Sequence, residues 1–151
     1  MQHNRRILRL ILWGLVIALL ISIYLLSSQP ASSSAKLSTN IAEHTIHIYE
    51  KLTGMDITIK QWDHKLRKAA HFSIYSLLGI FIMTLCLISG VSKKWSILIT
   101  MVVGIIYASI DELHQLFVDG RGASVRDVGI DSLGVILGIT IIWIVNRRWK
   151  R

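Results

Sequence analysis

Four long apolar runs constrain this chain more than any motif in it. A helix rises 1.5 Å per residue, so ~20 apolar residues cross the ~30 Å hydrocarbon core of a bilayer. Residues 10–26 carry no charge, and Ile7 and Leu8 extend that run to residues 7–26. Further runs cover residues 69–88, 95–117 and 128–145, with polar connections at 27–68 and 118–127. Hydrophobic residues make up 52% of the chain, and a single proline, Pro30, interrupts it. That share exceeds the usual apolar share of a soluble domain. The expected architecture is therefore all-α and integral to a membrane: one domain over residues 1–151, folded as a four-transmembrane-helix bundle.

The formal charge of +8 invites a nucleic-acid reading. Recognition of a phosphate backbone needs a contiguous basic face on a soluble module, and none is present, so no nucleic-acid partner is expected. The charge instead sorts by side. Arg5, Arg6, Arg9, Lys93, Lys94, Arg147, Arg148, Lys150 and Arg151 fall on one side of the alternating spans with no acidic residue among them. The other side holds the remaining basic residues and all nine acidic ones. By the positive-inside bias both termini are cytoplasmic and the acidic side is extracytoplasmic. The lone Cys86 sits inside an apolar run, reads as a packing residue and gives no information on redox compartment.

Between the first two spans the pattern is mixed. The small residues Ala31 to Ala35 could offer a signal-peptidase site, but the preceding run is longer than a typical signal-peptide core and is expected to remain as an anchor. Ser27, Ser28, Gln29 and Pro30 end the first helix, and a polar connector is expected over residues 31–38. Ile41, Thr45, Ile48 and Leu52 then recur at helical spacing, predicting a short extracytoplasmic amphipathic helix that Gly54 stops. His44 and His47 lie three apart on it and read as a solvated pair. Residues 65–68, Lys-Leu-Arg-Lys, lead into the second span.

Five of the nine acidic residues fall between Asp111 and Asp131. On a helix Asp111, His114 and Gln115 share a face, with Tyr107 a turn earlier and Glu112 at its edge. Gly120 to Ala123 reads as a turn. Ser124 and Asp127 have the spacing of a helix-start capping box, and Asp131 follows a turn later. In the second span Lys68, His71, Tyr75 and Gly79 make one stripe. Measured from Trp95 as the inner boundary, Asp111 lies ~24 Å along the core, near the outer surface. His71 and Asp131 reach the same layer from the other direction, and Ser28 and Gln29 stand at the mouth of the first helix. Buried charge at such depth costs about 2–3 kcal/mol, so these groups should face inward and pair, with Lys68, Arg121 and Arg126 as the available cations.

Ser28-Gln29, Lys68-x-x-His71-Phe72-x-x-Tyr75-x-x-Leu78-Gly79, and Asp111-Glu112-x-His114-Gln115-x-Phe117-Val118-x-Gly120-Arg121-x-x-Ser124-x-x-Asp127-x-x-x-Asp131-x-x-Gly134-x-x-x-Gly138 occur in that order. In these three blocks the chain resembles the VanZ-like family of small bacterial membrane proteins. The resemblance implies a multi-pass protein of the bacterial cytoplasmic membrane, with its functional face extracytoplasmic and an association with resistance to the glycopeptide teicoplanin.

Two functional classes stay open. One is a non-enzymatic envelope factor whose outer-leaflet pocket binds a membrane lipid, a lipid-linked envelope precursor or a peptide. Its ligand-binding candidates are Ser28, Gln29, Lys68, Tyr75, Gln115, Arg121, Ser124 and Asp127, with Arg121 the favoured headgroup contact because its fork of donors matches phosphate or carboxylate. The other is an intramembrane hydrolase or transferase acting on a lipid-linked substrate, with His71, Asp111, Glu112, His114 and Asp131 as catalytic candidates. No cofactor is predicted. The spacing is not that of a zinc motif, while Asp111, Asp127 and Asp131 leave room for a divalent Mg²⁺ or Ca²⁺.

Overall fold

The structure is a computed structural model that describes residues 2–54 and 56–148; residues 149–151 of the basic tail lie outside the described residues. Five helices follow in order: α1 (Gln2–Ser27), α2 (Ala31–Thr53), α3 (Ile59–Ile88), α4 (Lys93–Gln115) and α5 (Val125–Arg148). Four of them are long and apolar enough to cross a membrane, over His3–Ser27, Ile59–Ile88, Lys93–Gln115 and Val125–Asn146. Their exposed side chains fit that solvent: Leu10, Trp13, Leu25, Trp95, Ile106 and Leu133 are all exposed large apolar residues.

The breaks between helices have local causes. Pro30 stands at the N-cap of α2 in an extended conformation, φ −52° and ψ 146°, ending one helix and opening the next. The polar connector expected over 31–38 is therefore helical: the serines there do not stop a helix once its first turn is set, and α2 begins at Ala31 rather than near Ile41. Gly54 does stop it, in the left-handed region at φ 66°, with its N–H on the Glu50 carbonyl at 2.8 Å. α3 starts earlier than the second apolar run. Thr58 and Gln61 form a reciprocal capping box, so helix covers residues 59–68, which hydropathy alone assigns to the connection.

α3 is the central element and packs against all four others, most extensively against α5. That closeness depends on glycine. A Cβ added at Gly134 would stand 2.5 Å from the Phe72 carbonyl oxygen, and one at Gly79 would stand 2.7 Å from the Val135 carbonyl oxygen. Gly138 is likewise pressed against the α3 backbone at Ser76 and Ile80. Around this contact Val16, Ile23, Tyr75, Leu78, Ile82, Ala108, Val135 and Ile139 form the core.

α2 docks on the first turns of α3. The Trp62 indole N–H donates to the Thr45 hydroxyl at 2.8 Å, Tyr49 stacks on Trp62 at 4.4 Å, and the Lys65 ammonium sits 5.0 Å from the Tyr49 ring centre. Ala42 and Ile46 are buried, whereas Ile41, Ile48 and Leu52 are exposed and turned away from the bundle.

Candidate functional site

The end of α1, the start of α3, the end of α4 and the start of α5 meet at one end of the bundle. Alternation of helix direction requires this, and the polar residues of the four segments form two tiers there.

The lower tier is buried. Asp111 on α4 is 4% exposed; its Oδ2 accepts from the Ser27 hydroxyl at 2.8 Å and, weakly, from the Gln115 amide at 3.5 Å. Asp131 on α5 is 2% exposed, and its Oδ2 has no hydrogen-bond partner. His71 on α3 faces it, with Nδ1 3.9 Å from that oxygen. One ligand-type atom from each of His71, Asp111 and Asp131 lies within 4.8 Å of the others. Tyr75, a turn further along α3 from His71, is fully buried with its hydroxyl also unpartnered. Tyr107, a turn before Asp111, donates instead to the Leu20 carbonyl of α1 at 2.5 Å.

The upper tier surrounds a cavity of about 350 Å³. Gln29, His64, Arg67, Lys68, His71, Glu112, Gln115, Arg121, Asp127 and Asp131 line it, together with the apolar Leu26 and Ile130. Lys68 pairs with Asp127 at 2.5 Å, and Arg67 pairs with Asp63 on its own helix at 3.1 Å. Arg121 is placed differently. From the α4–α5 loop it reaches back to α1, where Nη2 donates to the Leu26 carbonyl at 3.4 Å, while its buried Nε has no partner. Burial, reinforced by the positive charge of Arg67, pushes the Arg121 guanidinium below its usual pKa, against the pull of Asp111 and Glu112.

Three expectations need correcting. His114 does not join Asp111: its Nε2 meets the Ser28 hydroxyl at 3.0 Å and its ring packs on Tyr24 at 4.8 Å, because position 114 is rotated on α4 toward α1. The partner of the Ser124 N–H is Glu112, whose Oε2 accepts from it at 2.7 Å, since Asp127 is already engaged by Lys68. Nor does Asp127 join Asp111 and Asp131: the ligand-type atoms that lie within 4.8 Å of one another are those of His71, Asp111 and Asp131. Glu112 thus secures the loop that carries Arg121, and Ser124 takes part through its backbone.

Of the candidate residues, Gln29, Lys68, His71, Glu112, Gln115, Arg121, Asp127 and Asp131 line the cavity, whereas Ser28, Tyr75, Asp111, His114 and Ser124 stand outside its lining. His64 and Arg67 were missed. The signal was available: they precede Lys68 and His71 by one turn, and once α3 is extended to Ile59 the four make a continuous helical stripe.

Four helices long and apolar enough to span a membrane, with all their acidic residues gathered at one end, define a small multi-pass membrane protein with a polar site at that end. Within that class, the family model described as VanZ/LLP1 matches residues 12–146, nearly the whole chain, and the chain belongs to this VanZ-like family. No curated protein and no solved structure matches it.

Proposed function

We propose that the cavity binds the anionic headgroup of a membrane lipid or lipid-linked envelope precursor at the outer face of a bacterial cytoplasmic membrane, and that this lowers susceptibility to lipoglycopeptides such as teicoplanin. The observation that carries the reading is Arg121. It is a partly buried cation over a cavity of small-ligand size, held by one long bond to a carbonyl, with Nε unused and, among the described residues, no carboxylate in ion-pair contact. Lys68 and Arg67 add positive potential, but their own acids occupy them. Leu26 and Ile130 on the wall, next to the exposed apolar flank of α1, suit the first carbons of an acyl or polyprenyl chain. The family name supports a resistance role, and the charge asymmetry of the connections supports the outward orientation.

Binding is measured with purified protein in nanodiscs, using an anionic phospholipid and a polyprenyl phosphate as probes. Arg121→Ala is expected to weaken binding at least about tenfold, with Arg121→Lys intermediate because a point charge replaces a fork of donors. Unchanged affinity in Arg121→Ala removes the assignment. The orientation is tested separately: Gly122→Cys should react with an impermeant thiol reagent in intact cells, and labelling only after lysis reverses the topology.

One observation favours a second reading, an intramembrane hydrolase or transferase. His71 and Asp131 line the cavity beneath Arg121, so an imidazole could take a proton from water or a hydroxyl attacking a bound phosphate ester. Release of phosphate or headgroup above the rate of a His71→Gln control is its test, and no turnover with either lipid leaves the binding reading standing alone.

A further inference from the structure

We propose that His71, Asp111 and Asp131 form a binding site for one divalent first-row transition metal, of the Zn²⁺ or Mn²⁺ type. The proposal is independent of headgroup binding and rests on the lower tier alone. Three helices deliver one imidazole and two carboxylates to a single point, with the donor atoms within 4.8 Å of one another. Three ligands about 2.1 Å from a tetrahedral ion stand about 3.4 Å apart, so the set closes on a metal through small side-chain rotations.

The charge balance points the same way. Asp111 and Asp131 are almost completely buried, and among the described residues no lysine or arginine makes an ion pair with either. Lys68, the nearest lysine on the α3 stripe, is held by Asp127. Asp111 has its serine and glutamine donors, but the inward oxygen of Asp131 has no hydrogen bond, and its one charged neighbour among the described residues is the His71 imidazole at 3.9 Å. An unpartnered, 98%-buried carboxylate oxygen facing an imidazole and a second carboxylate is the arrangement a cation resolves. A divalent ion balances both carboxylates at once. The imidazole selects against Mg²⁺ and Ca²⁺, which take six or more oxygens, and in favour of ions that accept nitrogen and oxygen together.

The site is also open on one side. His71 and Asp131 line the cavity while Asp111 lies behind them, so the remaining coordination position faces the cavity, where water or an anionic ligand oxygen can enter.

The test is equilibrium dialysis of tag-free, chelator-stripped protein in detergent against Zn²⁺, Mn²⁺, Mg²⁺ or Ca²⁺, with elemental analysis of the retained ion. The expected result is about one Zn²⁺ or Mn²⁺ per chain, a raised thermal midpoint that a chelator reverses, and an affinity lowered at least about 100-fold in both His71→Gln and Asp131→Asn. Arg121→Ala should hold the ion as the native protein does, so the metal and headgroup assignments fail separately. Less than about 0.1 ion per chain in the native protein overturns the proposal, as does unweakened binding in the two ligand variants, which would put the ion elsewhere. Should a ligand variant not fold, the stoichiometry and chelator-reversible midpoint of the native protein still decide.

Discussion

Asp127 and Asp131 lie one turn apart on the same face of α5, yet Asp127 at the rim of the cavity is met by Lys68 while Asp131 at its floor has an oxygen with no hydrogen bond, 3.9 Å from the His71 imidazole. The rim carries three pairs, Lys68 with Asp127, Arg67 with Asp63 and Glu112 with the Ser124 N–H, and beside them the Nε atoms of Arg67 and Arg121 and one Asp63 oxygen have no hydrogen bond. These pairs depend on contacts made on folding and leave Arg121 as the rim cation outside any ion pair among the described residues. On the floor Asp111 and Asp131 are 4% and 2% exposed, and among the described residues neither meets a lysine or an arginine. If stability alone had shaped both tiers, the deeper one would be better paired, because solvent cannot repair it. On the proposals above, Arg121 at the rim takes the headgroup and the floor takes the metal ion, while the three pairs of the rim frame both.

Both tiers hang on the α3–α5 contact, so the largest perturbation should erase the difference between them. Gly134→Leu drives a side chain into the Phe72 carbonyl and the Tyr75 Cβ, at the level between His71 and the core. Backbone atoms cannot yield as a flexible side chain would, and the helices must separate. A loss of about 3 kcal/mol or more is expected, read as a collapse of folded yield and thermal midpoint together with loss of headgroup binding. A variant that keeps the native midpoint would show that the close approach of α3 and α5 does not position the site.

The spans were legible because twenty apolar residues without a break admit few alternatives in a chain this short. The shared layer of His71, Asp111 and Asp131 was legible too, since helix rise fixes depth from either end. What hydropathy could not supply was azimuth. Asp111, His114 and Gln115 share a nominal face, but that face is wide enough to touch two neighbours, and packing turned His114 toward Ser28 and Tyr24 while Asp111 and Gln115 stayed buried. The pairing of Glu112 with the Ser124 N–H was hidden for a related reason. The capping pattern at Ser124 and Asp127 is local, whereas Lys68, distant in sequence, competes for the same carboxylate and wins. The start of α3 was lost to composition: residues 59–68 are polar enough to look like a connection, and only the Thr58–Gln61 capping box announces a helix.

The smallest expected effect bears on the rim. The Lys68 and Asp127 side chains retain 29% and 30% of their exposure, so their pair is partly screened by water and its loss should be modest. A double-mutant cycle over Lys68→Ala and Asp127→Ala, followed by thermal or denaturant unfolding in one detergent, is expected to give a coupling of about 1 kcal/mol, with each single variant still folded. Headgroup affinity should fall only a few-fold in Lys68→Ala, far less than in Arg121→Ala, because the ammonium removed was already neutralised by its partner. In Asp127→Ala it should rise, because that variant frees Lys68 to face the cavity. This opposite response of the two partners is the sharper readout, since a pair that served packing alone would move both affinities in the same direction. If both variants weaken headgroup binding as severely as Arg121→Ala, the Lys68–Asp127 pair is part of the ligand site rather than its frame, and the division between Arg121 and the pairs beside it fails.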